Sequence, residues 1–267
     1  AGETSGKLVL VLKLLANQMK RDYELRRRVK GALIYPLIII LALIGIGIMM
    51  MVYVVPTLSQ TILELGVELP LTTKVIISIS KYLVEYSLLA VLITIILAAI
   101  VWRILASRTG RALWDRAVLR LPVFGTLMRE FNAARFCRTL AYLVTSGVPI
   151  VRSLEISSSV LGNTRFRDAA HAASLEIQKG KQLHDILAGY PKLFDPLIVQ
   201  MVDVGEETGK ISDMLLRLAL FYEGDVTNAT KNLSTIIEPV LMVFIGAVVA
   251  FFAISMLQPI YGSLGNL

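Results

Sequence analysis

From Ala32 to Val55 the chain is almost unbroken Ile, Leu, Val, Met and Gly, and no charged residue stands between Lys30 and Glu64. That run exceeds the roughly 20 apolar residues that carry a helix across about 30 Å of hydrocarbon, so it predicts a transmembrane helix over 31–57. A second uncharged stretch, Tyr86–Trp102, is lengthened by Tyr82–Val84 and has Tyr82, Tyr86 and Trp102 at interfacial aromatic positions, which predicts a span over 82–104. No charge follows between Pro239 and Leu267, and Val240–Leu257 is dense in Val, Phe, Ile and Ala, predicting a third span over 233–259. Between and after them lie a loop at 58–81, a linker at 105–130 and a tail at 260–267.

The rest of the pattern has helical periodicity and no strand-like alternation. Phe131–Thr145 carries apolar residues at helical spacing and stops at Ser146-Gly147; Pro149 opens a second helix reaching Gly162. Asn163-Thr164 begins a third that runs to Gly180, and Leu183–Ala188 forms a short fourth before Gly189 and Pro191. Asp195-Pro196 is a cap with Pro at the first helical position, starting a fifth helix to Glu207. After Thr208-Gly209 a sixth runs from Ile211 to about Lys231 and feeds the third span. The expected fold is all-α: a polytopic membrane protein with three transmembrane helices and six-helix bundle modules, of which 131–232 is one.

That module has a partial twin. Ala1-Gly2-Glu3-Thr4-Ser5-Gly6-Lys7-Leu8 returns as Val204-Gly205-Glu206-Glu207-Thr208-Gly209-Lys210-Ile211, an offset of 203 from Gly2 to Gly205. The same offset carries Leu12 to Leu215, Leu15 to Leu218, Ala16 to Ala219, Ile34 to Ile237, Pro36 to Pro239 and Pro56 to Pro259, without a gap. Duplication accounts for glycines, a glutamate and bracketing prolines in one register better than chance apolar patterning does. Residues 1–30 then read as the last helix of a truncated first module. The two copies cross the membrane in the same direction, unlike the inverted repeats of many transporters.

Composition and charge refine this picture. The chain has 267 residues, 55% of them hydrophobic, and a formal net charge of +7. Lys20, Arg21, Arg26, Arg27, Arg28 and Lys30 precede the first span, and Arg103, Arg108, Arg111, Arg116 and Arg120 follow the second. Basic residues next to spans are held on the cytoplasmic side, so the N-terminus is expected inside and the C-terminus outside. The positive balance is thus topogenic and suits a membrane surface, not nucleic acid. The one cysteine, Cys137, forms no internal disulfide. No cleavable signal stands before Lys20.

Chemistry is sparse. Gly205-Glu206-Glu207-Thr208-Gly209-Lys210 looks like a phosphate-binding loop but has three residues between its glycines where four are needed, and Ile211 where a hydroxyl should be. It reads instead as a helix end and turn, with Glu206 available for a buried hydrogen bond or an intermodule contact; Glu3, Gly6 and Gly209 share that reading. His171, His184 and Cys137 have no zinc spacing, and no catalytic, metal or cofactor set is expected. Tyr35-Pro36 and Glu238-Pro239 open their spans, Glu238 as an interfacial anchor or a helix-pairing group. Gly246, Ala250 and Ala253 form a small-residue face suited to close helix packing.

These residues carry a resemblance. Gly2-Glu3 with Gly6, its twin Gly205-Glu206 with Gly209, Tyr35-Pro36 and Glu238-Pro239, Leu69-Pro70 with Thr73, Arg135-Phe136 through Leu140, and Gly147-Val148-Pro149 together resemble the type II secretion system protein F and type IV pilus assembly protein PilC family. The resemblance implies a non-enzymatic platform in the bacterial inner membrane. Its partners would be a hexameric assembly ATPase, pilins or pseudopilins, other inner-membrane assembly proteins, the lipid bilayer, and further copies of itself as a dimer or higher oligomer. A transporter or permease is the competing class, but it requires polar or charged groups at mid-span, where only small hydroxyls such as Thr94 and Ser255 stand.

Overall fold

The computed structural model describes residues 8–64, 70–121 and 124–264, and these are helical almost throughout, without a strand among them. The helices are α1 (Leu8–Met49), α2 (Val55–Glu64), α3 (Leu71–Glu85), α4 (Ser87–Ala106), α5 (Arg108–Val118), α6 (Phe124–Thr145), α7 (Ile150–Val160), α8 (Thr164–Ile177), α9 (Leu183–Ala188), α10 (Pro196–Glu207) and α11 (Ile211–Leu264). Three helices are long and apolar enough to cross a membrane, within Met19–Gln60, Ser87–Ala106 and Ile211–Ser255. The chain divides into two compact units, one of 1–32 with 104–233 and one of 33–103 with 234–267.

The first unit is a helical bundle. Its core is built on Phe136 of α6, Phe166 of α8 and Phe194 ahead of α10, with ring centroids 5.1 and 5.3 Å apart along the trio. Leu140, Leu154, Leu183, Leu187, Ile198, Leu215 and Leu218 close around them, all buried. Each helix begins or ends where local chemistry demands. Asn163 caps α8 by accepting from the Arg165 amide at 3.0 Å, and Asp195 caps α10 by accepting from the Ile198 amide at 3.1 Å, with Pro196 following. Gly147 ends α6 in the left-handed region at φ 78°, which a residue with a Cβ rarely adopts. Cys137 lies wholly inside, where burial pushes its thiol well above the usual range and keeps it protonated. The linker expected at 105–130 is itself structured: α5 occupies Arg108–Val118, and α6 begins at Phe124.

In the second unit, α4 is apolar on every side and none of its residues is buried, as suits a lipid-facing helix. Its length, at 1.5 Å per residue, is about 30 Å. The chain breaks at Tyr86 (φ −115°, ψ 37°), so the helix begins at Ser87, and the expected span start at 82 belongs to α3. The segment expected as a loop over 58–81 is helical where described, in α2 and α3.

What α3 packs against turns on two prolines. A proline inside a helix has no amide hydrogen, so one carbonyl a turn earlier loses its partner, and in an apolar setting that loss must be made good. Ahead of Pro56 the helix widens into a π segment over Met50–Val54, with the Val55 amide donating to the Met50 carbonyl. In that register Pro56 vacates the Met51 carbonyl, and the Ser80 hydroxyl donates to it at 2.5 Å. In the second copy, Pro259 vacates the carbonyl of Ser255 in ordinary α register, and the Thr73 hydroxyl donates to that one at 2.6 Å. Thr73 and Ser80, both buried on one face of α3 around Ile76, thereby clasp the two copies. Val55 and Ile76 form the adjoining core, with Met51, Leu58, Ile77 and Phe252 packed against it.

Candidate interaction site

Glu206 ends up half-buried, on the last turn of α10. The six-residue α9 has Gln182 at its N-cap position, and Gln182 supplies no side-chain hydrogen bond. Glu206 does so from across the fold, accepting from the Leu183 amide at 2.6 Å and the His184 amide at 3.1 Å. The same carboxylate lies 2.8 Å from His184 Nδ1, with Asp203 and Asp185 each 3.3 Å from the ring. The Glu206 hydrogen bond, ahead of the nearby carboxylates, holds the His184 pKa above its ordinary value, against the opposing pull of desolvation.

The glycines on either side serve the same turn. A Cβ on Gly205 would sit 2.9 Å from the Ile211 Cα, so only glycine lets α10 meet the start of α11 this closely. Gly209 takes φ 68° and reverses the chain between them. The loop-like sequence Gly205–Lys210 is therefore a bolted helix junction, not a phosphate cradle. Glu3 and Gly6 lie outside the described residues.

A second cluster joins α1 to the bundle. Asp22 accepts from Arg135 Nε at 2.5 Å and pairs with Arg26 at 2.8 Å. Arg28 donates to the Thr227 hydroxyl at 2.6 Å. One turn along α6, Arg138 grips the Glu223 carboxylate with two nitrogens and reaches the Tyr142 hydroxyl at 3.0 Å. Both arginine side chains are only 6% exposed, so the carboxylates balance charges that burial alone would not tolerate. Burial lowers the Arg135 pKa, and Asp22 restores part of it. Leu25 and Val29 bury the apolar edge of the same stretch of α1. The sequence reading passed over these pairs, because Asp22 and Arg135 are far apart in the chain. The available signal was two arginines one turn apart within α6, whose other residues from Asn132 to Ala141 are all buried.

The residues expected at span openings and at packing faces stay apart from these clusters. Pro36 lies inside α1 and is buried, while Tyr35 is 45% exposed. Glu238 and Pro239 are exposed on α11. Gly246 has open space where a Cβ would go; Ala250 is exposed and Ala253 half-buried. Among the described residues there is no group of His, Cys, Asp or Glu that could hold a metal ion.

The fold and these clusters define an all-helical, three-span membrane protein whose helical bundle is internally braced by ion pairs and has no metal-binding cluster among its described residues. A family profile for type II secretion system protein F matches residues 1–56 and 136–259, and the chain belongs to that family. It is 39% identical over its whole length to a type IV pilus assembly protein PilC of Thermus thermophilus, covering 66% of that protein. It is 38% identical over 99% of its length to a PilC of Myxococcus xanthus, covering 63% of it. A type II secretion system protein F of Aeromonas hydrophila is 34% identical over 97% of this chain and 67% of its own length. The chain thus spans a little under two thirds of the length of the two pilus assembly proteins.

Proposed function

We propose that this chain forms the greater part of a non-enzymatic inner-membrane platform of a type IV pilus or type II secretion machine. In that role it links a cytoplasmic assembly ATPase to the lifting of pilin or pseudopilin subunits from the bilayer into a filament. The observation that carries this reading is the match, over essentially the whole chain, to proteins named for pilus assembly and for type II secretion. The basic residues before the first span and after the second support a cytoplasmic bundle and N-terminus, with the C-terminus on the periplasmic side. Brackets of buried ion pairs around α1 and α6 suit a scaffold that transmits force without opening.

Cross-linking in intact membranes, followed by purification through this protein, tests the proposal. Capture of a hexameric ATPase together with pilin-like subunits is expected. Absence of both, with solute uptake by the reconstituted protein, would instead establish a transporter.

A further inference from the structure

We propose that α5 and the cleft beside it dock on anionic phospholipid headgroups, making 107–121 an interfacial anchor at the foot of the second span. The inference rests on the membrane reading above. It starts from chain continuity: only Ser107 separates the last residue of the apolar α4 from the first of α5. The Ser107 hydroxyl donates to the Ile104 carbonyl at 2.7 Å and accepts from the Gly110 amide at 3.0 Å. A Cβ at Gly110 would fall 1.8 Å from the Ile104 carbonyl oxygen, so the turn closes only with glycine. Since α4 is about as long as the hydrocarbon layer is thick, its end and α5 belong at the headgroup level.

The face that α5 presents fits that level. Its acidic residue, Asp115, is turned inward, accepting from the Thr164 amide at 2.8 Å and so fastening α5 to the start of α8. On the opposite side stand Leu113 (59% exposed), Trp114 (56%) and, just past the helix, Leu121 (50%). Arg116 and Arg120 flank that apolar strip. They continue into a cleft of about 520 Å³ that Arg129, Arg165 and Lys192 complete from α6, α8 and the segment before α10, with no carboxylate among its described lining residues. An apolar strip edged by cations is the pattern of a helix lying in an anionic interface, with tryptophan at the headgroup boundary and a cleft whose five cationic side chains suit phosphate groups.

The sequence has two tryptophans, which makes the test direct. The full chain is reconstituted in nanodiscs of phosphatidylcholine alone or mixed with phosphatidylglycerol, each doped with phosphatidylcholine brominated near the carbonyl end of its acyl chains. Trp102→Phe leaves Trp114 as the reporter, and Trp114→Phe leaves Trp102. Trp114 fluorescence is expected to be quenched strongly in anionic discs and weakly in neutral ones. Arg116→Gln with Arg120→Gln should lower the docked-to-free ratio roughly thirtyfold, about fivefold per charge, whereas Arg116→Lys with Arg120→Lys should keep it. Equal quenching in neutral and anionic discs overturns the proposal. So does a Trp114 that stays open to aqueous acrylamide in anionic discs. In either case Trp102 quenching shows that the membrane reading survives; loss of quenching at both tryptophans removes that reading itself.

Discussion

Replacing Thr73 by valine keeps the shape of the side chain and removes the one hydrogen that reaches the Ser255 carbonyl at 2.6 Å. The residue four positions on is Pro259, which has no amide hydrogen to donate to that carbonyl. A buried carbonyl left unpaired costs about 1–3 kcal/mol, and hydrogen bonds between membrane helices contribute about 0.6 and at most about 1.7 kcal/mol. The expected loss for Thr73→Val is therefore about 1–2 kcal/mol, or roughly 3–6 °C in Tm for a chain of this size. Ser80→Ala exposes the Met51 carbonyl in the same way and should cost a similar amount. The two sites are about two turns apart on α3, so their effects should add. Ser78→Ala is the control, since its hydroxyl is exposed and donates only to the Lys74 carbonyl of its own helix. Thermal unfolding of the reconstituted chain provides the readout. The decisive variant is Pro259→Ala in the Thr73→Val background, because it supplies an amide hydrogen to Ser255. A double mutant no more stable than Thr73→Val alone, or a Thr73→Val chain as stable as the Ser78→Ala control, refutes the claim that α3 hydroxyls replace the missing proline amides.

Other consequences follow from the bundle. Asp22→Asn, measured by denaturant unfolding, should destabilise by about 1.5–3 kcal/mol, the range for a hydrogen bond to a charged group, and Arg135→Gln should add little once Asp22 is gone. Glu206→Ala should loosen α9, costing about 1 kcal/mol as for a lost N-cap and raising amide exchange at Leu183 and His184. Glu206→Lys should also weaken filament assembly while membrane insertion stays intact; unchanged filament formation counts against a role for this junction. His184 has a raised pKa in the fold, so its contribution is complete below the unfolded value near 6.5 and fades as pH rises through the folded one. Tm should accordingly fall as pH rises above about 6.5, and His184→Gln should flatten that slope.

The bundle was legible in the sequence wherever a helix boundary carried its own chemistry. Asp195-Pro196, Asn163, Gly147 and Gly209 act within a few residues of themselves, and the helices start and stop at them. The stretch from 58 to 81 was not legible, because Glu64, Glu68, Pro70, Lys74 and Lys81 punctuate it like a loop. The buried face of α3 bears Thr73 and Ser80, whose reason to be buried lies on two other helices. The Gly-Glu-x-x-Gly signature was recognisable as a turn, but its partner, the uncapped start of α9, belongs to a different helix from either side of the turn. Asp22–Arg135 and Arg138–Glu223 were out of reach for the same reason: each pairs residues that only the folded chain brings together.

The offset of 203 has a structural corollary that sequence similarity alone does not supply. Pro56 and Pro259 stand at that same offset, yet the two helices answer them differently: a π segment precedes Pro56, and regular helix precedes Pro259. Widening the helix moves the vacated carbonyl from Val52, the counterpart of Ser255, back to Met51, changing the direction in which it points. One helix, α3, then serves both with hydroxyls two turns apart, Ser80 for the first copy and Thr73 for the second. The π segment leaves the Met51 carbonyl to Ser80, and its geometry should persist only while Pro56 does. Pro56→Ala restores an ordinary amide and should release Ser80 from the Met51 carbonyl, so Ser80→Ala in that background should cost less than about 0.5 kcal/mol.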